Sequence, residues 1–319
     1  MRVAVVGVGG VGGYFGGRLA AAGNDVHLMA RGQHLEAIRR AGLEVRSVAG
    51  DFHVRPPATD DPAEVGPVDL VLVCVKSYDT EPVARSIGPM VGEGTGVLSL
   101  QNGVDNEEVL AAAVGPDHVL GGAAFIFARI TGPGVVTHVG GPGRITIGEL
   151  SGSRSERVER FAERFDEAGV PAEVSDDVRA VLWSKLAFIC AQAGLTAGVR
   201  LPIGELREVP ETMDLFRRIV EEVMAVARAE GVELPADLVE RHEEFARSLE
   251  PGSYASLYDD LVAGRRMELE ALHGSVVGRA RRHGVDVPAC QAVYAILRPW
   301  ALRNERGAEP AGGQEMASG

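Results

Sequence analysis

Cysteine, positive charge and long apolar runs are all scarce in this chain of 319 residues. The three cysteines, Cys74, Cys190 and Cys290, are odd in number, far apart and set in apolar runs. That spacing argues against a disulfide framework and a zinc site, and predicts buried free thiols in a reducing cytoplasm. Lysine and arginine total 32 against 45 acidic residues, a net charge of −13. Such a balance excludes a general attraction to nucleic acid or to an anionic membrane, so a small anionic ligand needs a local basic site. Glycine interrupts the N-terminal run "MRVAVVGVGG", and no later apolar stretch is expected to approach the ~20 residues of a membrane span.

What is present is a globular composition, 45% hydrophobic and 24% charged, at a length that suggests two domains. From residue 1 to 175, short β-rich runs alternate with helical patterns: "RVAVVG", a helix from Gly12 to Ala22, "DVHLMA", "VDLVLVCVK" and "TGVLSLQNG". This rhythm predicts an α/β domain with a doubly wound parallel sheet, its continuously apolar strands covered by helices on both faces. The runs "VLGGAAFIFARI", "GVVTHVG" and "GRITIGEL", spaced by Gly-Pro turns, read as an extension of that sheet.

Residues 176–305 read as an all-α domain, with helices over Thr212–Ala229, Ala236–Leu249, Ser253–Val262, Arg266–His283 and from Pro288 to Arg303. Its amphipathic helices are compatible with a homodimer or a monomer. Residues 306–319, small and polar, read as a disordered tail.

Gly7-Val8-Gly9-Gly10-Val11-Gly12 is a G-x-G-x-x-G directly after a strand and at the opening of a helix. Gly7 permits the tight turn, Gly9 the close backbone approach and Gly12 the helix-strand packing of a pyrophosphate cradle, the Rossmann arrangement. An NAD site carries an acidic residue after the second strand. This chain has Ala30 and Arg31 there, with no adjacent carboxylate to occupy the arginine, which favours the 2′-phosphate of NADP(H). Lys76 and Asn102 stand at further strand ends, where ligands of parallel sheets collect.

Lys185 lies in "LWSKLAFICAQAGLT", flanked by Leu182, Trp183, Leu186, Phe188 and Ile189. Its ammonium either snorkels to the surface or lines a cleft as a partly desolvated proton donor. Downstream, "YASLYDDLVAGRRMELEALHG" holds Ser256 and, in the first turn of a helix after the Gly264 break, Glu268, with Glu270 an equal rival.

These elements together resemble the ketopantoate reductases (2-dehydropantoate 2-reductases), of the 6-phosphogluconate dehydrogenase-like group, over residues 1 to 303: "GVGGVG", Arg31, "VCVKSYDT", "LQNGVDN", "LWSKLAF" and "SLYDDLVAGRRMELEALHG". The resemblance implies NADPH-dependent reduction of ketopantoate in pantothenate synthesis, with no metal. It implies Lys185 as general acid, Glu268 as substrate-orienting carboxylate and Ser256 as a contact of the substrate carboxylate. Asn102 would touch nicotinamide and substrate, and Lys76 would sit beside the cofactor. Family members usually carry asparagines four and eight residues after the lysine, where this chain has Ile189 and Ala193, with Gln192 beside the second. Two alternatives follow: a reductase of another 2-oxo acid or carbonyl compound, or a non-catalytic NADP(H)-binding sensor.

Overall fold

The continuously apolar runs become strands buried on both sides. In the computed structural model, which describes residues 1–308, Val3 and Val5 of the first strand belong to one core and Ala4 and Val6 to another. The chain divides into two units, Met1–Leu182 and a second from Trp183. The first is the expected α/β unit and the second is helical.

In the first unit the strands are β1 (Arg2–Val6), β2 (Asp25–Met29), β3 (Leu43–Ser47), β4 (Phe52–Val54), β5 (Ala58–Thr59), β6 (Val68–Val73), β7 (Val91–Ser99), β8 (Val119–Gly132), β9 (Val135–Glu149) and β10 (Ala172–Val174). Among the described residues they form one sheet in the order β4-β3-β9-β8-β7-β6-β1-β2-β5, with β10 alongside β9. From β5 to β8 all neighbours are parallel. β1 lies between β2 and β6, so the strand order reverses beside it, and the crevice beyond the carboxyl ends opens there.

Phe15 and Leu19 of the helix Gly10–Ala21 cover one face of this sheet together with Phe161 and Phe165. Val83, Ala84 and Leu110 cover the other. β3, β4, β5 and β10, each of five residues or fewer, fall outside the expected strands.

Two of the runs expected to extend the sheet join. "GVVTHVG" and "GRITIGEL" are a single strand, β9, running antiparallel to β8. Gly132-Pro133-Gly134 makes the hairpin turn, whereas Gly141-Pro142-Gly143 stays within β9, where the register with β8 shifts past Phe125 and Phe127. A bulge absorbs the Gly-Pro-Gly without ending the strand.

The boundary between the units falls at Leu182, inside the helix Val178–Val199, rather than at 175. This helix is long and apolar enough to cross a membrane, contrary to the expectation that no segment approaches one, but 67% of its apolar window is buried inside the protein. Beyond it, Pro210–Ala229 buries Phe216, Ile219, Val220, Val223, Val226 and Ala227, the stripe expected from periodicity apart from half-buried Leu215. Leu238–Ser248, Ser256–Val262, Ser275–His283 and Pro288–Ala308 follow. The last helix runs past the expected start of the tail at 306, and residues 309–319 of that tail lie outside the described residues. The three cysteines are free thiols, with Cys190 and Cys290 buried and Cys74 half-buried. Burial pushes the pKa of each upward.

Candidate active site

The glycines after β1 divide by what a side chain would strike. Gly7 has φ +96°, which glycine adopts without strain, and a Cβ there would lie 2.7 Å from the Val75 nitrogen. A Cβ on Gly10 would meet the Ala128 carbonyl oxygen at 2.0 Å, and one on Gly12 the Gly7 carbonyl oxygen at 2.1 Å. Gly9 differs, because a Cβ there would meet nothing within 4 Å. Val8 is buried and Val11 half-buried.

Gly9 caps the helix Gly10–Ala21, whose first turn holds no acidic residue and no side-chain cap. Its N-terminal amides and positive dipole end are thus available to an anion. Three glycines let the loop pack on itself, on the residues after β6 and on β8, and the fourth leaves open space beside those amides.

Arg31 follows β2 and caps the helix Gly32–Ala41. The expectation that no carboxylate occupies it is corrected: Asp79, distant in sequence, approaches its guanidinium at 3.9 Å. At that length, with the arginine side chain 71% exposed, the pair is weak and screened by solvent, so Arg31 keeps the freedom to meet a phosphate.

Lys76 and Asn102, both half-buried, stand on the loops that follow β6 and β7. A buried relay joins those loops. Gln101 Nε2 donates to Thr80 Oγ1 at 2.7 Å, Thr80 Oγ1 donates to Asn106 Oδ1 at 2.9 Å, and Asn106 Nδ2 donates to the Asn102 carbonyl at 3.0 Å. Thr80, Gln101 and Asn106 were not expected from the sequence. A polar side chain at a strand end looks alike whether it faces a ligand or another loop.

In the helical unit, Lys185 is half-buried on Val178–Val199. The helix is held on both sides of it. His242 Nε2 donates to the Ser184 carbonyl at 2.9 Å, and Phe188 packs against Phe245, His242 and Phe216 with ring centroids 4.9, 5.4 and 6.0 Å away. Past the lysine, His273 Nε2 donates to the Cys190 carbonyl at 3.0 Å. His273 also lies where a Cβ on Gly194 would be, 2.5 Å from Nε2.

His273 belongs to a π-helical turn, Glu270–Gly274, that leads into Ser275–His283. Buried Glu268 is not in the first turn of this helix but two residues before the π turn, and its carbonyl accepts the Leu272 amide at 3.2 Å. The π turn therefore packs the segment that carries Glu268 against the helix that carries Lys185. π turns that interrupt helices are frequent at functional sites. Glu270, its sequence rival, is exposed and bonds Tyr294 and Arg298.

The link from Ser256 to Glu268 is pinned as well. Buried Asn304 donates to the Asp260 and Arg265 carbonyls at 3.3 and 2.8 Å, and Arg265 pairs with buried Asp260 at 2.8 Å. Ser256 itself is exposed, at the start of the helix Ser256–Val262. His242, His273 and Asn304 were also not anticipated, since each acts on a segment tens of residues away and local pattern carries no such signal.

One compositional signal does single out two of the expected site residues. Of the 32 basic residues, all are arginine except Lys76 and Lys185. Arginine serves for surface charge and ion pairs, but only an ammonium gives up its proton at accessible pH.

Comparison with known proteins extends the pattern over both units. The family model "Ketopantoate reductase PanE/ApbA" matches residues 3–152, and its companion "Ketopantoate reductase PanE/ApbA C terminal" matches residues 177–301. A 2-dehydropantoate 2-reductase of Halobacterium salinarum is 39% identical over 300 residues, 93% of this chain and 98% of that protein. The crystal structure of a PanE/ApbA family ketopantoate reductase from Ralstonia eutropha has a TM-score of 0.88 at 38% identity, covering 96% of this chain and 100% of that one. A D-mandelate dehydrogenase solved with NADH and anilino(oxo)acetate shares the fold, with a TM-score of 0.88 at 24% identity over 96% of this chain and 99% of that one.

Two outcomes are expected from this geometry. Gly12→Ala should destabilise the first unit by about 1–3 kcal/mol or more, because backbone and not a flexible side chain stands in the way. Gly9→Ala should melt as the native protein does while weakening a bound dinucleotide by about tenfold or more, as calorimetric titration beside a thermal melt would show.

A further outcome concerns His273, whose burial lowers its pKa to about 4 from 6.5. Between those values the unfolded chain takes up a proton that the folded chain does not. Its contribution is therefore complete above pH 6.5 and is lost as pH falls towards 4, a change on the order of 3 kcal/mol. Urea unfolding at pH 7.5 and at pH 4.5 should show this loss, and His273→Gln should remove that part of the pH dependence.

Proposed function

The chain belongs to the ketopantoate reductase family, and from that membership we propose that it is an NADPH-dependent 2-dehydropantoate 2-reductase, reducing ketopantoate to pantoate in the cytoplasmic synthesis of pantothenate and coenzyme A. The observation that carries the reading is the family match over both units, with a half-buried lysine and a buried glutamate on packed segments of the helical one.

The residues after β1 fit the cofactor, because Gly9 leaves the space that a pyrophosphate needs beside uncapped helix amides. Gly7, Val8, Gly9, Gly10, Val11 and Gly12 would form the cradle, Arg31 would pair with the 2′-phosphate, and Lys76 and Asn102 would sit beside the nicotinamide end. NADPH, when bound, supplies the hydride that reduces the keto carbon.

The chain's own groups do the rest. Lys185 donates a proton to the oxygen that becomes the hydroxyl, and before that transfer its charge offsets the negative charge growing there. Glu268 orients the substrate, and Ser256 and Asn102 hold its polar groups. A lysine suits the task because its flexible stem follows the oxygen as bonding changes, and its proton can leave.

A second reading, reduction of a different 2-oxo acid, is favoured by Ile189 and Ala193. Ile189 is half-buried and Ala193 buried, and neither side chain offers a hydrogen bond to a substrate. NADPH oxidation with ketopantoate, against a panel of other 2-oxo acids, separates the two.

Lys185→Ala should leave NADPH affinity near native and reduce turnover by about 10² to 10⁴. Lys185→Arg should recover little of it, since guanidinium keeps its proton, and stopped-flow traces of NADPH consumption would show the loss in the chemical step. Arg31→Ala should weaken NADPH by about tenfold or more and NADH much less, because only NADPH has the extra phosphate. Fluorescence titration with both cofactors reads this, and equal losses would remove Arg31 as the phosphate reader.

A further inference from the structure

One turn after Arg31, the helix Gly32–Ala41 holds a buried polar atom whose surroundings leave it incomplete. His34 accepts the Gly134 amide at its Nδ1, 3.0 Å away. A ring nitrogen that accepts carries no proton, so the neutral imidazole has its proton on Nε2. That Nε2 is buried, yet it has no hydrogen-bond partner among the described residues. Buried donors are nearly always paired in native proteins, so this one marks a bond that closes in another state of the protein.

The neighbour it faces is the loop after β1. Burial lowers the pKa of His34 and keeps the ring neutral, while the backbone of Val8 acts in the opposite direction, as a carbonyl beside the ring does. The Val8 carbonyl therefore lies near the Nε2 proton without being aligned to accept it. This approach closes a triangle. Gly134, in the β8–β9 turn, has Ala37 of the same helix 3.2 Å from where its Cβ would be, and its carbonyl accepts the Glu44 amide at 2.9 Å. Further down that hairpin, the Ala128 carbonyl oxygen stands 2.0 Å from where a Gly10 side chain would begin. Helix, hairpin and glycine loop each meet the other two, all within the first unit.

Peptide geometry says what the missing bond does. The Val8 carbonyl and the Gly9 amide share one planar trans unit, in which they point in opposite directions. A carbonyl drawn towards His34 turns the Gly9 amide away from the helix, and the space beside Gly9 is open. We propose that His34 is a positioning residue for the cofactor: its Nε2–H bonds the Val8 carbonyl as a dinucleotide enters, and so aims the Gly9 amide at the pyrophosphate. This rests on the dinucleotide reading above and goes beyond it. Arg31 caps the helix that carries His34, so the helix end assigned to the 2′-phosphate also shapes the pyrophosphate cradle through a backbone contact. NADPH and NADH share the pyrophosphate, so His34 acts on both alike, unlike Arg31.

Two substitutions separate the two halves of the ring. Asparagine sets its amide oxygen near the place of Nδ1, and glutamine sets its amide nitrogen near the place of Nε2. His34→Asn should melt as the native protein does but bind NADPH and NADH each about three- to tenfold more weakly, the worth of one hydrogen bond. His34→Gln should bind both within about twofold of native, yet melt at a lower temperature, because the Gly134 amide loses its acceptor. Fluorescence titration with each dinucleotide, beside a thermal melt, reads this crossing of effects. In the native protein with ¹⁵N-labelled histidine, adding NADP⁺ should move the His34 Nε2–H proton resonance downfield as the bond closes, which tests the same event with no substitution.

A His34→Asn variant with native affinity, equal losses of affinity in both variants, or an Nε2–H resonance unmoved by NADP⁺ would overturn the role of His34 while leaving the cofactor reading intact. A native protein that binds neither dinucleotide would overturn the cofactor reading, and this role with it.

Discussion

The helical unit depends on one buried hydrogen bond, from His273 to the carbonyl of Cys190. A carbonyl only accepts, so the imidazole must carry its proton on Nε2, and burial keeps the ring neutral. The bond joins residues 83 apart in sequence. It sets the π turn, and with it Glu268, against the helix that presents Lys185. The contact exists because residue 194 is glycine: any side chain there would occupy the place of the ring. A bulge in one helix and a missing side chain in another are two halves of a single fit.

The α/β unit solves a similar problem by other means. Its loop after β1 is shaped by glycines that let backbone meet backbone, while the loops after β6 and β7 are joined by the relay from Gln101 through Thr80 to Asn106. In each case the group that would face a ligand is held from beneath by atoms that never touch it. Such supports limit how far a site can drift, at the cost of requiring every buried polar group in them to be paired.

Much of this arrangement was legible in the sequence. Apolar runs with no alternation identified a sheet covered on both faces, and the G-x-G-x-x-G identified the turn after β1, because both depend on neighbours in sequence. Arg31, Lys76, Asn102 and Lys185 stood out for their place at strand ends or as charge in an apolar run, whereas Ser256 and Glu268 were singled out only by the family resemblance. What escaped was non-local. Asp79 comes to Arg31 across the sheet's carboxyl end, β9 carries a Gly-Pro-Gly through a bulge, and Glu268 precedes a π turn that no 3.6-residue period describes. His34 is a case between the two: its place one turn after Arg31 follows from counting residues, but its unpaired ring nitrogen is visible only once the chain is folded.

The near absence of lysine has a consequence for the chemistry of the whole molecule. Guanidinium groups stay charged through the entire alkaline range, while ε-ammonium groups titrate near pH 10.4. The surface of this protein is therefore almost inert towards reagents that acylate primary amines or condense with them. Such chemistry finds only Lys76 and Lys185 among the side chains, both half-buried. Covalent modification of side-chain amines, random on most proteins, is here addressed by composition alone to two known atoms.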